Sequence, residues 1–266
     1  MNDPVYNLYS LATIAAALAR AMGIEKPAQA AQANPLLTAM VQNAGIPAVD
    51  RILMYNPDAI ALWLYQKYTQ LYLPVSKHTQ LCLPLASVMP SVTPVCFGTM
   101  YTGAQPQVHG IRSYAKPVIR IDTLFDALLR AGRRPAIVST AGDSLSMIFL
   151  EREMDYYIYD TVEEVNAKAL ELIEADRYDF LVVYNADYDA NMHRNAPEGE
   201  ASLQALAGNM QTFGRLAEAV KAHWTGHRTL IGFAPDHGCH EIDGGLGSHG
   251  LDMPEDLNIL HFYGLL

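Results

Sequence analysis

A chain of 266 residues that is half hydrophobic can bury the core of one large domain, with or without decorations. Its formal charge of −10, with 17% charged residues, argues against a protein that tracks a nucleic-acid backbone, although bound cations would still let it hold a small anion. Cys82, Cys96 and Cys239 form no C-x-x-C pair, which supports neither a disulfide framework nor a thiolate zinc site and fits reduced thiols in a cytoplasm.

Apolar spacing predicts helices over residues 8–22 and 35–44, separated by "EKPAQAAQANP". The segment before the first helix, "MNDPVYN", has no Lys or Arg, so a secretion signal is not expected. No run of 18 uncharged apolar residues suggests a membrane span. "RILMY" (51–55) reads as a buried strand, and Pro57 and Asp58 look like the first turn of a helix through "NPDAIALWLYQKYTQLY". "LCLPLASVMPS" is strand-like and broken by prolines. The stretch 89–111, "MPSVTPVCFGTMYTGAQPQVHGI", sets threonines, glycines and a histidine in an almost uncharged setting. Helix 123–132, strand 133–140, helix 162–176, strand 178–187, helix 201–224, strand 228–238 and a last strand 257–264 follow, with Tyr156, Tyr157 and Tyr159 packing at a strand. Apolar strands alternating with helices predict an α/β fold: a mostly parallel central sheet with helices on both faces. Ligands of such folds sit at the carboxyl ends of the strands.

The residues that follow three of these strands are chemically suggestive. After "RILMY" come Asn56 and Asp58; after "FLVVYNA" come Asp187, Asp189 and His193; after "TLIGFAP" come Asp236 and His237. Asp189 and His193 are four apart and share a helix face, so both could reach one ion. Asp236 and His237 occupy a tight turn before a glycine, and His249 sits in "GLGSHG". Each motif alone is also what a helix cap, a strand-end turn or a surface loop would show. Together, carboxylates and imidazoles without cysteine suit two Zn²⁺ ions, with Mn²⁺ as the alternative. A pair of cations about 4 Å apart is a known device for phosphoryl transfer and could activate a threonine at a helix N-terminus.

These residues resemble the alkaline phosphatase superfamily, and within it the type I phosphodiesterase/nucleotide pyrophosphatase family. That family shows P-[ST]-x-T, then T-G about nine residues past the nucleophile, then P-x-x-H-G-[IV]; here "PSVT" ends at Thr93, Thr102 and Gly103 follow, and "PQVHGI" runs from Pro106 to Ile111. The resemblance covers about residues 50–266. It implies that Thr93 is the nucleophile, that Asp189, His193 and His249 hold one ion, and that Asp236, His237, Thr93 and an aspartate after the first strand hold the other. The family usually has aspartate where Asn56 stands; Asp58, which carries the charge, is the stronger candidate. Cys96 stands where the resemblance places an asparagine that contacts the phosphate, and is a weak donor if it binds substrate at all. The main domain then spans 49–266, and 1–48 is a helical extension packed on it. The cap is small or absent, so the pocket is open or completed by another subunit, and a homo-oligomer is possible.

Ser91 is expected to cap the helix that Thr93 opens, Thr99 to lie inside it, and His109 to structure the following turn. His240 reads as a solvated loop residue with an outer-shell role as the alternative. His78, His223, His227 and His261 read as surface or strand-end residues, and Lys116 and Arg120 as solvated charges. The resulting expectation is a cytoplasmic two-metal hydrolase of small phosphate esters that uses Thr93 covalently and binds neither duplex nucleic acid nor membrane. Its rivals are phosphomutase-like transfer on the same core and a catalytically weak binding protein.

Overall fold

The structure, a computed structural model, describes residues 4–266; residues 1–3 of the expected N-terminal extension lie outside the described residues. The strands are β1 (Tyr9–Ser10), β2 (Arg51–Pro57), β3 (Leu81–Ala86), β4 (Pro135–Thr140), β5 (Asp155–Tyr159), β6 (Phe180–Asn185), β7 (Thr229–Phe233), β8 (His240–Ile242), β9 (Leu246–Ser248) and β10 (Asn258–Leu265). Eight of them form one sheet in the order β1-β3-β10-β7-β2-β6-β4-β5, while β8 and β9 make a separate hairpin. β10 is antiparallel to both β3 and β7, and every other pair in the large sheet is parallel. This is the mostly parallel α/β sheet that the apolar runs predict.

Because successive strand residues face opposite ways, β2 serves two cores at once. Ile52 and Met54 join one cluster with Phe97, Tyr101, Phe125 and Phe180, whereas Leu53 and Tyr55 join another with Phe213 and Phe233. The Thr93–Thr102 helix lies in the first cluster with every residue buried, as suits a helix that is apolar all round. Leu11, Ile14, Leu18, Leu37 and Val41, from the first 48 residues, belong to that same cluster, and β1 adds to the edge of the sheet beside β3.

Two local expectations need correction. Residues 9–10 are strand, and the α-helix in that region runs only over Ile14–Ala21. No helix begins at Pro57 either. Pro57 ends β2, Asp58 N–H donates to Asn185 O (3.0 Å), Ala59 takes a left-handed φ of +62°, and the helix begins only at Leu62. The ladder to β6 carries the chain one residue past the proline and overrides its preference for a first helical turn.

Two histidines expected near the surface are buried: His78 is 2% exposed and His261 is wholly enclosed within β10. The His261 Nε2 lies 2.7 Å from Pro235 O, which can only accept, so Nδ1 accepts from the Tyr263 hydroxyl (2.9 Å). His109 has the same tautomer: Nδ1 accepts from Ile111 N–H (3.3 Å) and Nε2–H donates to Thr99 Oγ1 (3.0 Å). Burial holds both imidazoles down at about 4. The unfolded chain protonates each near pH 6.5, so between those values unfolding takes up protons. Their contribution to stability is therefore complete above that window and is lost as pH falls through it. Both rings are expected to keep the ¹⁵N shifts of neutral imidazole at about pH 5, where unfolded histidine is charged; imidazolium shifts there would contradict these bond assignments.

Candidate metal centre

The carboxyl ends of β2, β6 and β7 meet at one place, and the chain leaving each delivers charged groups to it. Asp58 follows β2, Asp189 and His193 lie in the Asp187–Asn195 helix after β6, and Asp236 and His237 follow β7. Thr93 comes from the helix after β3, and His249 from the loop after the β8–β9 hairpin. That hairpin is the only structure between His237 and His249, so no large cap intervenes there.

The side chains form two triads. In one, Asp58, Asp236 and His237 place ligand-type atoms within 4.8 Å of one another, and all three residues are buried. His237 Nε2 lies 3.4 Å from Asp58 Oδ1 and 3.3 Å from Asp236 Oδ2. In the other, Asp189, His193 and His249 converge equally closely, with Asp189 Oδ1 3.3 Å from His193 Nε2 and 3.4 Å from His249 Nε2. The triads adjoin: the rings of His237 and His249 have centroids 4.2 Å apart. The second is more open, since the His193 side chain is 41% exposed whereas those of Asp236 and His237 are fully buried.

The hydrogen bonding fits a cation in each triad. Nδ1 of His193, His237 and His249 each lies 2.9 Å from a backbone carbonyl oxygen, of Gly247, Gly238 and Ser91 respectively. A carbonyl accepts, so each Nδ1 carries a proton, and each ring when neutral turns a bare Nε2 lone pair inward. His193 and His249 set these nitrogens 3.2 Å apart, an arrangement that a shared positive charge would relieve. Asp189 Oδ1 and Asp236 Oδ2 are buried without a hydrogen-bond donor, and among the described residues no lysine or arginine pairs with Asp58, Asp189 or Asp236. Native interiors rarely leave carboxylates in that condition.

The electrostatics carry the same message. Burial, reinforced by the charge of Asp189, pushes Asp58 up to about 7; burial and Asp58 push Asp236 well above the carboxylate range. His237 is driven down to about 3, by burial first and then by His249. At the open triad the Asp189 carboxylate favours charge on the rings: it lifts His193 to about 9 and raises His249 against the burial that opposes protonation, so a cation there would compete with protons for both Nε2 atoms. Burial would raise Asp189 as well, but His193 and His249 outweigh it and hold that carboxyl below its ordinary range.

Of the residues singled out in the sequence, Thr93 joins the buried triad: Oγ1 lies 3.2 Å from Asp58 Oδ2 and 3.4 Å from His237 Nε2. It is the first residue of its helix, where the backbone dipole favours a negative oxygen. Asn56 lies outside the triads. Its amide donates to Ala234 O (2.7 Å) and accepts from the Tyr101 hydroxyl (2.5 Å), tying the ends of β2 and β7 together. Cys96 is buried, and the Ser87 hydroxyl, which donates to Asp236 O (2.6 Å), lies 3.2 Å from its sulfur. Burial raises the Cys96 thiol far above its usual range, so the sulfur stays neutral.

Ser91 does not cap the helix; Val92 is the N-cap, and Ser91 instead gives its carbonyl to His249. Thr99 does lie inside the helix, and His109 closes the turn after it. His240 is not a solvated loop residue, because its Nδ1 pairs with the buried Asp256 carboxylate at 2.7 Å. Lys116 reaches Gly142 O and Arg120 pairs with Glu151, away from the centre. Sequence reasoning missed Tyr184, whose hydroxyl donates to Asp58 Oδ2, and Ser87. Tyr184 carried one signal, its place one residue before the end of the strand that leads to Asp189.

Gly238 shows how tightly the turn carrying His237 is built. A Cβ there would stand 2.1 Å from Glu255 O and 2.9 Å from Ala61 Cβ. Gly238→Ala must displace backbone, at a cost of about 1–3 kcal/mol. It is expected to lower the denaturation midpoint and the metal retained after dialysis, measured by chemical denaturation and elemental analysis.

No family model matches the sequence, and no curated protein matches it. Solved structures do. An inactive variant of murine ectonucleotide pyrophosphatase/phosphodiesterase 5 in complex with AMP superposes with a TM-score of 0.59 over 73% of this chain at 15% identity. The chain carries an alkaline-phosphatase-like α/β fold. The human ectonucleotide pyrophosphatase/phosphodiesterase 5 structure shares this fold with a TM-score of 0.58 over 73% of the chain at 17% identity. Phosphonoacetate hydrolase from Sinorhizobium meliloti 1021 in complex with phosphonoformate gives 0.56 over 74% at 19%. The chain spans 58% of the length of the human protein and 59% of that of the other two.

Proposed function

We propose that the protein is a two-cation hydrolase of small phosphate esters with Thr93 as its nucleophile. The observation that carries this reading is one hydroxyl at a helix N-terminus touching the buried triad, with the second triad alongside. Asp58, Asp236 and His237, with Thr93, would hold one cation, and Asp189, His193 and His249 the other. Carboxylate and imidazole donors in these numbers suit Zn²⁺, with Mn²⁺ as the alternative. When bound, such ions supply Lewis acidity to the phosphoryl oxygens, the nucleophile and the leaving oxygen.

The chain's own part is positional. The Thr93–Thr102 helix is buried throughout, so Oγ1 is presented from a rigid base. Oγ1 attacks phosphorus as the bond to the ester's leaving oxygen breaks; the leaving alcohol ends with the threonine proton, and Thr93 carries a phosphoryl ester. Water then cleaves the Thr93 Oγ1–phosphorus bond, restores the hydroxyl and releases the phosphate product. The ligands in the neighbouring structures, AMP and phosphonoformate, are small phosphorus oxyanions, the first a phosphate ester and the second a phosphonate. With Asn56 engaged in joining two strand ends, its departure from the family's aspartate no longer favours a binding protein without catalysis.

Elemental analysis of the purified protein beside a panel of nitrophenyl phosphate mono- and diesters tests the reading. Two equivalents of a divalent metal per chain and hydrolysis of at least one ester class are expected. Fewer than two ions together with no hydrolysis would overturn it, and return of the phosphoryl group to the organic product would favour a mutase.

A further inference from the structure

We propose that Tyr184 is a positioning residue for the buried triad: its phenol fixes one carboxylate oxygen of Asp58 and so sets how that triad grips a cation. The inference rests on the two-cation reading of the centre.

The placement follows from the sheet. The parallel register of β2 and β6 pairs Asn56 with Tyr184, and Asp58 N–H continues the ladder to Asn185 O. Asp58 lies two residues beyond Asn56 and so leaves the chain on the face that Tyr184 occupies. There the Tyr184 hydroxyl donates to Asp58 Oδ2, with both residues buried. Phe97 holds the phenol ring edge-on, with centroids 5.7 Å apart and planes at 80°, and Phe97 lies one turn beyond Thr93 on the same helix. The two oxygens of Asp58 are thereby divided: Oδ2 takes the phenol, and Oδ1 faces His237 Nε2. Asp236 differs, since its Oδ1 receives Ala59 N–H at 3.3 Å and its Oδ2 has no donor. Burial and the Asp58 charge hold the Tyr184 hydroxyl far above its usual range, so the phenol remains a donor. Such outer partners orient a ligand carboxylate, and losing one typically weakens metal binding by about 10–100-fold.

Tyr184→Phe removes the hydroxyl and keeps the ring against Phe97. Zn²⁺ binding to the full chain, measured by competition with a chromophoric chelator, is expected to show one ion weakened by about 10–100-fold and the other unchanged. In the Co²⁺-substituted protein the visible absorption of one ion is expected to shift. Phe97→Leu, which loosens the ring but keeps the phenol, is expected to weaken the same ion by a smaller factor, and provides the test should Tyr184→Phe not fold. Wild-type affinities and an unaltered Co²⁺ spectrum in Tyr184→Phe, or equal weakening of both ions, would overturn the proposal. So would unaltered binding in Phe97→Leu where that variant must serve. A wild-type chain that binds fewer than two ions fails at the level of the two-cation reading, a result distinguishable from failure of Tyr184 alone.

Discussion

Thr93→Ala is expected to reduce turnover of nitrophenyl phosphate esters by about 10⁴-fold or more while leaving metal content nearly intact. The two parts of this expectation have different causes. The hydroxyl is the only group of residue 93 that reaches the buried triad, at 3.2 Å from Asp58 Oδ2 and 3.4 Å from His237 Nε2, so its loss removes the attacking atom. Asp58, Asp236 and His237 still supply three donors after the substitution, enough to retain an ion. Thr93→Ser keeps the oxygen and should recover a measurable part of the rate. Trapping labelled phosphate on the wild-type protein, but not on Thr93→Ala, would identify the covalent step. Undiminished hydrolysis by Thr93→Ala would remove the mechanism.

The second large effect concerns metal removal. Without cations the folded centre confines three carboxylates; burial opposes the ionisation of Asp58 and Asp236, the Asp189 charge raises Asp58 further, and the Asp58 charge raises Asp236. A cation that binds only the folded chain stabilises it by mass action, by about 4 kcal/mol per site when free metal is a thousandfold above Kd. Chelated protein is therefore expected to lose ester hydrolysis and to unfold at a lower temperature, with Zn²⁺ restoring both. For a chain of this size each such increment corresponds to a shift of roughly 10 °C in Tm. Asp236→Ala and Asp189→Ala should each bind one ion fewer. Calorimetry that finds the same Tm with chelator and with excess Zn²⁺ would contradict the assignment of these carboxylates.

Much of this centre was legible before folding because its parts obey short-range rules. Asp189 and His193 share a helix face, Asp236 and His237 share a turn, and apolar runs mark the strands whose ends carry them. Thr93 was legible through motif spacing and sits at the first position of its helix. Long-range effects were not. Pro57 and Asp58 carry a helix-start signal, and only the pairing of β2 with β6 reveals that the strand overrides it. Tyr184 is one aromatic residue in an apolar strand until register places it beside Asp58. His240 looked solvated because its partner, Asp256, lies 16 residues away across the hairpin and loop. His261 looked like a strand-end residue because nothing local shows that β10 has neighbours on both sides.

That central position of β10 has a consequence for biosynthesis. A nascent chain that has left the ribosome as far as His249 already holds all six side chains of the two triads, and Thr93. It lacks Asn258–Leu265, the one strand that joins β3, and the Thr93 arm behind it, to β7. Until that strand threads between its two earlier neighbours, no strand pairing ties the arm to β7, which leads to Asp236. Bringing the Thr93 hydroxyl against the buried triad is therefore expected to wait for this strand.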